Sequence, residues 1–151
     1  MQLSPIQRAA AEILAERRLQ RLNERTQAIG EGNYAGFLKQ ALPKDWQHDA
    51  THLLTIAEHL DAVFRGDIDR LMVNMPPRHG KSETITLRAP VYSLLKDPTE
   101  RQLVTGYNQS FARRFGRRTR NIATECGLKL VQDKQASDEW ETEEGGGLIA
   151  R

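Results

Sequence analysis

Apolar residues recur at helical spacing from the start of the chain. Ile6, Ala10, Ile13 and Leu14 set the period, Leu19 and Leu22 extend it, and Arg17, Arg18, Arg21 and Arg25 fall on the other side. Ser4-Pro5-Ile6-Gln7 is a helix start: the serine caps free N–H groups, proline suits the first helical position and glutamine completes a capping box. Together they predict a helix over 5–28 that packs on the domain or on a partner, closed by Gly30-Glu31-Gly32-Asn33. A short segment from Tyr34 to Leu42 ends at Pro43. Leu53, Ile56, Ala57, Leu60 and Phe64 predict a second long helix within 47–64, broken by Gly66 and Asp67. The pattern then changes. Arg70-Leu71-Met72-Val73-Asn74-Met75 is a compact run of strand length, stopped by Pro76-Pro77, which offer no backbone N–H. Helix returns over 82–96, strained near Pro90, followed by a strand at 102–107 and a helix over 109–124. Strand, loop, helix, strand, helix predicts a parallel βαβ unit, the core of an α/β domain. Asp138 to Thr142 and Leu148 to Ala150 are two further short strands around a glycine turn.

With 151 residues the chain suits one domain. We divide it into a helical arm at 1–33 and an α/β part at 34–151. No apolar run approaches the ~20 residues that cross a bilayer, and the polar N-terminus argues against a secretory signal. The single cysteine, Cys126, excludes an internal disulfide and a multi-cysteine metal cage, and suits a reducing compartment.

Net charge is only +2, but it is unevenly spread: six arginines and no acid lie between Arg101 and Arg120, and seven acids against two lysines between Glu125 and Glu144. This predicts a basic face beside an acidic strip. A basic helix face is either solvated, an interface, or a contact for phosphate backbones. Arg113, Arg114, Arg117 and Arg118 are the DNA-contact candidates, with Phe111 and Phe115, spaced i, i+4, anchoring their helix to the core.

The chemistry concentrates in Met75-Pro76-Pro77-Arg78-His79-Gly80-Lys81-Ser82, between a predicted strand and a predicted helix. Gly-Lys-Ser is what a phosphate-binding loop requires. Glycine lets the main chain approach phosphate oxygens, the first N–H groups of the helix point at the anion, lysine reaches the terminal phosphates, and the serine hydroxyl coordinates Mg²⁺. Met75 stands where the usual pattern has its first glycine. A plain strand-to-helix turn does not explain Arg78, His79 and Lys81 at a helix mouth, where cations oppose the dipole unless an anion is bound.

Asp45-Trp46-Gln47-His48, the run Arg70 to Glu83 and Thr105-Gly106-Tyr107 resemble the large terminase subunit of tailed bacteriophages. In that family the loop commonly reads Pro-Pro-Arg-His-Gly-Lys-Ser without the first glycine. Phe111 to Ile122, and Trp140-Glu141-Thr142 followed by Gly145 to Gly147, extend the resemblance, which covers the chain from about Phe37. It implies a P-loop NTPase-type parallel sheet with flanking helices, and an ATP- and Mg²⁺-dependent motor packing double-stranded DNA into procapsids. It further implies homo-oligomers working with a portal protein and a small terminase subunit, in the bacterial host cytoplasm at the procapsid portal. By the same resemblance, Arg78 and Lys81 are catalytic, with Lys81 on the β- and γ-phosphates and Arg78 sensing or stabilising the γ-phosphate. Arg78, His79, Gly80, Lys81, Ser82 and Glu83 bind nucleotide, Ser82 takes Mg²⁺, and Gln47 contacts adenine with Trp46 as a stacking or packing partner.

Hydrolysis further requires an acidic pair at the end of an apolar strand, to hold Mg²⁺ and orient water. The sequence shows no four apolar residues followed by such a pair, and Leu128 to Asp133 is interrupted. In the resembled family the acidic strand follows the glycine segment and the nuclease carboxylates lie further on. The expectation is therefore an incomplete ATPase domain that binds nucleotide with little turnover. The alternatives are a non-catalytic DNA- or partner-binding module and another P-loop translocase. His48, His52 and His59 approximate zinc spacing, but no cysteine or placed carboxylate completes a site.

Overall fold

The computed structural model describes residues 4–151, excepting the side chains of residues 18, 21, 22, 25, 28, 30, 134 and 135. Helix α1 (Pro5–Gly30) opens with the expected capping box: the Ser4 hydroxyl accepts from Gln7 N–H and the Gln7 side chain accepts from Ser4 N–H. Helices α2 (Tyr34–Ala41) and α3 (Thr51–Arg65) follow, the first capped by Asn33 and the second ended by Gly66 in the left-handed region. Most of the apolar face of α1 does not find the core. Ile6, Ile13, Leu14 and Leu19 are exposed, and Ile29 at its end packs on the buried cluster. The side chains of Leu22, Arg18, Arg21 and Arg25 lie outside the described residues.

The core forms where α2, α3 and α4 (Ala89–Lys96) meet. Tyr34, Phe37, Phe64 and Tyr92 make a cluster of rings with centroids 4.9–5.8 Å apart, within the range where tilted aromatic pairs attract.

Four strands form one sheet in the order β1 (Arg101–Val104), β4 (Gly147–Ala150), β3 (Glu139–Thr142), β2 (Leu130–Gln135). Only β1 and β4 are parallel, in register from Arg101 opposite Gly147 to Val104 opposite Ala150. The β4–β3 and β3–β2 pairs are antiparallel, so the sheet is mixed rather than the expected parallel one. Helix α5 (Gln109–Glu125) crosses from β1 toward β2 and lies against β4 and β1. Gly116 permits that closeness, since a Cβ there would come within 2.4 Å of the Ser137 carbonyl oxygen. The Trp140 indole N–H donates to the Gly116 carbonyl at 3.3 Å and ties β3 to the same place.

The expected strand at 70–75 is not formed. The segment alternates as a strand does, with Leu71, Val73 and Met75 turned partly inward and Met72 and Asn74 outward, but it pairs with none of the described strands. Alternation follows from the sequence alone. A ladder needs a neighbour, and Pro76 and Pro77 withhold two donors at its end. The βαβ unit expected to start at Arg70 is accordingly absent, and the parallel crossover runs from β1 through α5 to β4 instead.

The expected helix over 82–96 is present in two registers: a π-helical segment (Ser82–Arg88) leads into α4. Pro90 lacks the N–H that an α-helix would direct to Thr86, and its ring crowds that carbonyl, so the wider turn falls just upstream of it. The two strands around the glycine turn form as β3 and β4. The interrupted run at 128–133 contributes β2 at the sheet edge.

Candidate functional site: a cationic loop at a helix mouth

The extended segment leads through a turn at 77–80 into helix at Lys81, and two residues in that turn have positive φ. Arg78 is at +64° and Gly80 at +88°; Arg78 is the one non-glycine residue among those described with such a conformation. A left-handed arginine is a strained main-chain position, of order 1–3 kcal/mol. Gly80 avoids that cost. Its missing Cβ would also stand 3.1 Å from both Trp46 Cζ3 and Leu53 Cδ2, so the loop rests its glycine on those side chains.

The first helical hydrogen bond runs from Thr84 N–H to the Gly80 carbonyl at 2.9 Å. The N–H groups of Gly80, Lys81, Ser82 and Glu83 therefore precede any helical acceptor, as at every helix start. His79 braces the turn: its Nδ1 lies 2.8 Å from the Pro77 carbonyl oxygen, and His52 Nε2 of α3 lies 3.1 Å from the His79 carbonyl oxygen. That accounts for His52 and His79 without a metal. His59 Nδ1 likewise lies 2.8 Å from the Thr55 carbonyl oxygen, and no metal-binding cluster occurs among the described residues.

An open cleft of about 560 Å³ lies over the loop, lined by Trp46, Met75 to Arg78 and Gly80 to Glu83. Arg78 and Lys81 are exposed and engage in no ion pair among the described residues. Two cations, a hydroxyl from Ser82 and a set of main-chain donors thus face one space. Gln47 does not join them. It is exposed and outside the cleft lining, whereas its neighbour Trp46 lines the cleft and lies close to Gly80.

Glu83 also lines the cleft. Its Oε2 accepts from Arg88 Nη1 at 2.7 Å and its Oε1 accepts from Arg118 Nη2 of α5. Burial pushes the Glu83 carboxyl upward, but the hydrogen bonds from Arg88 and Arg118 outweigh it and hold the group below the usual glutamate range. Arg88 is only 4% exposed. It also donates to the Ala41 carbonyl through Nε at 2.8 Å and to the Glu83 carbonyl through Nη1 at 3.0 Å. Sequence reading missed this buried arginine, because a five-residue spacing from Glu83 does not pair side chains on the α-helix that was expected there.

The four arginines proposed for DNA part company. Arg118 is committed to Glu83, and Arg113 donates to Asp138 at 3.0 Å. Arg114 lies 5.1 Å over the Phe111 ring, and Arg117 makes no ion pair among the described residues. With Gln109, Ser110 and Ser137, the residues Arg113, Arg114 and Arg117 line a second groove of about 470 Å³. Phe115 is buried and meets the half-buried Phe111 in a tilted ring contact with centroids 4.6 Å apart, anchoring the helix as expected.

No protein-family model, curated protein or solved structure matches this chain. The chain has a mixed α/β fold bearing a cationic cleft at a helix mouth.

Proposed function

We propose that this chain binds the phosphates of ATP and is the N-terminal part of a terminase large subunit, the motor that drives double-stranded DNA into bacteriophage procapsids. One observation carries the phosphate reading: two positive-φ residues, Arg78 and Gly80, feed uncommitted N–H groups and the unpaired Lys81 into one cleft. An anion is the ligand that such donors and charges accept. In this reading the extended segment 70–75 delivers the chain to the phosphate-binding turn. Lys81 holds the β- and γ-phosphates, Arg78 the γ-phosphate, and Gly80 to Glu83 supply main-chain donors.

The residues present fit a triphosphate better than they fit its metal. Ser82 offers Mg²⁺ one hydroxyl, and the only carboxylate lining the cleft among the described residues, Glu83, is held by two guanidinium groups. Mg²⁺ would therefore be held by Ser82 and by the phosphate oxygens, supplying charge neutralisation there. Among the described residues no second carboxylate lines the cleft to orient water, and in this reading turnover is small. Double-stranded DNA is assigned to the groove at Arg113, Arg114 and Arg117. The portal protein, the small terminase subunit, homo-oligomers and a place in the host cytoplasm at the procapsid portal rest on the sequence resemblance. No helix of the described residues is long and apolar enough to cross a membrane.

Thermal melting tests the reading. A ligand that binds only the folded state raises the melting temperature, by about 2.7 kcal/mol of stability at a hundredfold excess over Kd. Mg-ATP should do so in the wild type and not in Lys81→Ala. A second reading, a non-catalytic binding module, is favoured by the arginine groove alone and predicts stabilisation by duplex DNA with none by Mg-ATP.

A further inference from the structure

Glu83 stands in an unlikely place for a carboxylate, since a negative charge lining a phosphate cleft repels the ligand. Both of its oxygens are occupied by guanidinium groups of very different character. Arg88 is on the same π-helical segment and is buried. In an α-helix, residues five apart diverge by about 140° around the axis; the i→i+5 register of a π-helix returns Arg88 to the side of Glu83. Arg118 arrives from α5, 35 positions along the chain, with its side chain 47% exposed.

Resting on the phosphate reading above, we propose that Arg118 is a remote positioning residue of the phosphate site, which holds and neutralises Glu83 so that the cleft accepts a polyphosphate. Arg118 does not line the cleft and acts through Glu83. With Arg118 in place, Glu83 and its two guanidinium groups carry a net charge of +1, and both carboxylate oxygens accept guanidinium hydrogen bonds. Without it, the pair left behind is neutral and Oε1 has lost its only partner among the described residues. The phosphate loop is therefore electrostatically complete only while α5 is seated against the π-helical segment.

Calorimetric titration of the folded chain with tripolyphosphate, and separately with Mg-ATP, tests this across a double-mutant cycle. Arg118→Ala should weaken tripolyphosphate binding roughly tenfold, Arg118→Lys should retain most of the affinity, and adding Glu83→Gln to Arg118→Ala should return it to within about twofold of wild type. Unchanged affinity in Arg118→Ala overturns the proposal. So does a loss that Glu83→Gln fails to restore, which would mean a merely structural arginine. Should Arg118→Ala melt below the assay temperature, Arg118→Gln is read against the same criteria. Wild-type binding of tripolyphosphate with no gain for ATP would defeat the nucleotide reading and leave Arg118 to be judged by the cycle. Binding of neither defeats both.

Discussion

The Tyr34 hydroxyl donates to the Thr84 carbonyl at 2.5 Å, joining residues 50 positions apart in a fully buried contact. This bond fastens the π-helical segment that follows the cationic loop to α2, and the Tyr34 ring stacks within the aromatic cluster at the same time. The segment that leaves the loop is thereby anchored in the core, in addition to the brace that His79 gives the turn.

Tyr34→Phe keeps the ring and removes the hydroxyl, leaving the Thr84 carbonyl without this donor. Losing one partner of a buried hydrogen bond costs about 1–3 kcal/mol. Chemical denaturation should show a lower midpoint at unchanged slope, and an unchanged midpoint would mean the bond contributes nothing net.

Gly80→Ala combines a left-handed main chain with a Cβ 3.1 Å from Trp46 and Leu53. A destabilisation of about 1–2 kcal/mol is expected. Because the loop must shift to accept the methyl group, Mg-ATP affinity should fall as well. Trp46 fluorescence should move with the substitution, as Trp46 is the ring that Gly80 touches.

Asp61 supplies a pH test. Burial raises its carboxyl above the usual aspartate value, against the Tyr34 N–H it accepts and the nearby Arg65 and Lys96. A raised acid pKa means that the folded state resists ionisation. The resulting penalty is absent below the ordinary value near 3.8, grows as pH rises through the raised folded value, and is complete above it. Asp61→Asn, which keeps an oxygen for Tyr34 N–H, should therefore gain more relative to wild type at pH 7 than at pH 3.5. Melting curves at the two pH values check the sign.

Arg114 and Arg117 are the two groove arginines without an ion pair among the described residues. Replacing both with alanine should weaken duplex DNA binding uniformly across sequences. It should also flatten the slope of log K against log salt by roughly 2, about one phosphate contact each. An unaltered slope would remove the groove from the DNA interface.

Much of this was legible in the sequence. The capping box of Ser4 and Gln7, the apolar period through Leu53 and Leu60, and Gly80-Lys81-Ser82 at a helix mouth are local signals, and each appears where the spacing put it. The failures are all non-local. Arg70 to Met75 has the alternation of a strand, but pairing depends on a neighbour that the run itself does not encode. The Arg118–Glu83 contact spans two elements whose docking no periodicity announces.

The central claim is that Lys81 and the donors around it grip a triphosphate. Isothermal titration of the wild type and Lys81→Ala with Mg-ATP, with melting curves showing both folded, measures it most directly. One saturable site is expected in the wild type, with an affinity loss of at least tenfold in Lys81→Ala. Equal affinity in the two proteins, or no heat in the wild type up to millimolar Mg-ATP, would contradict it.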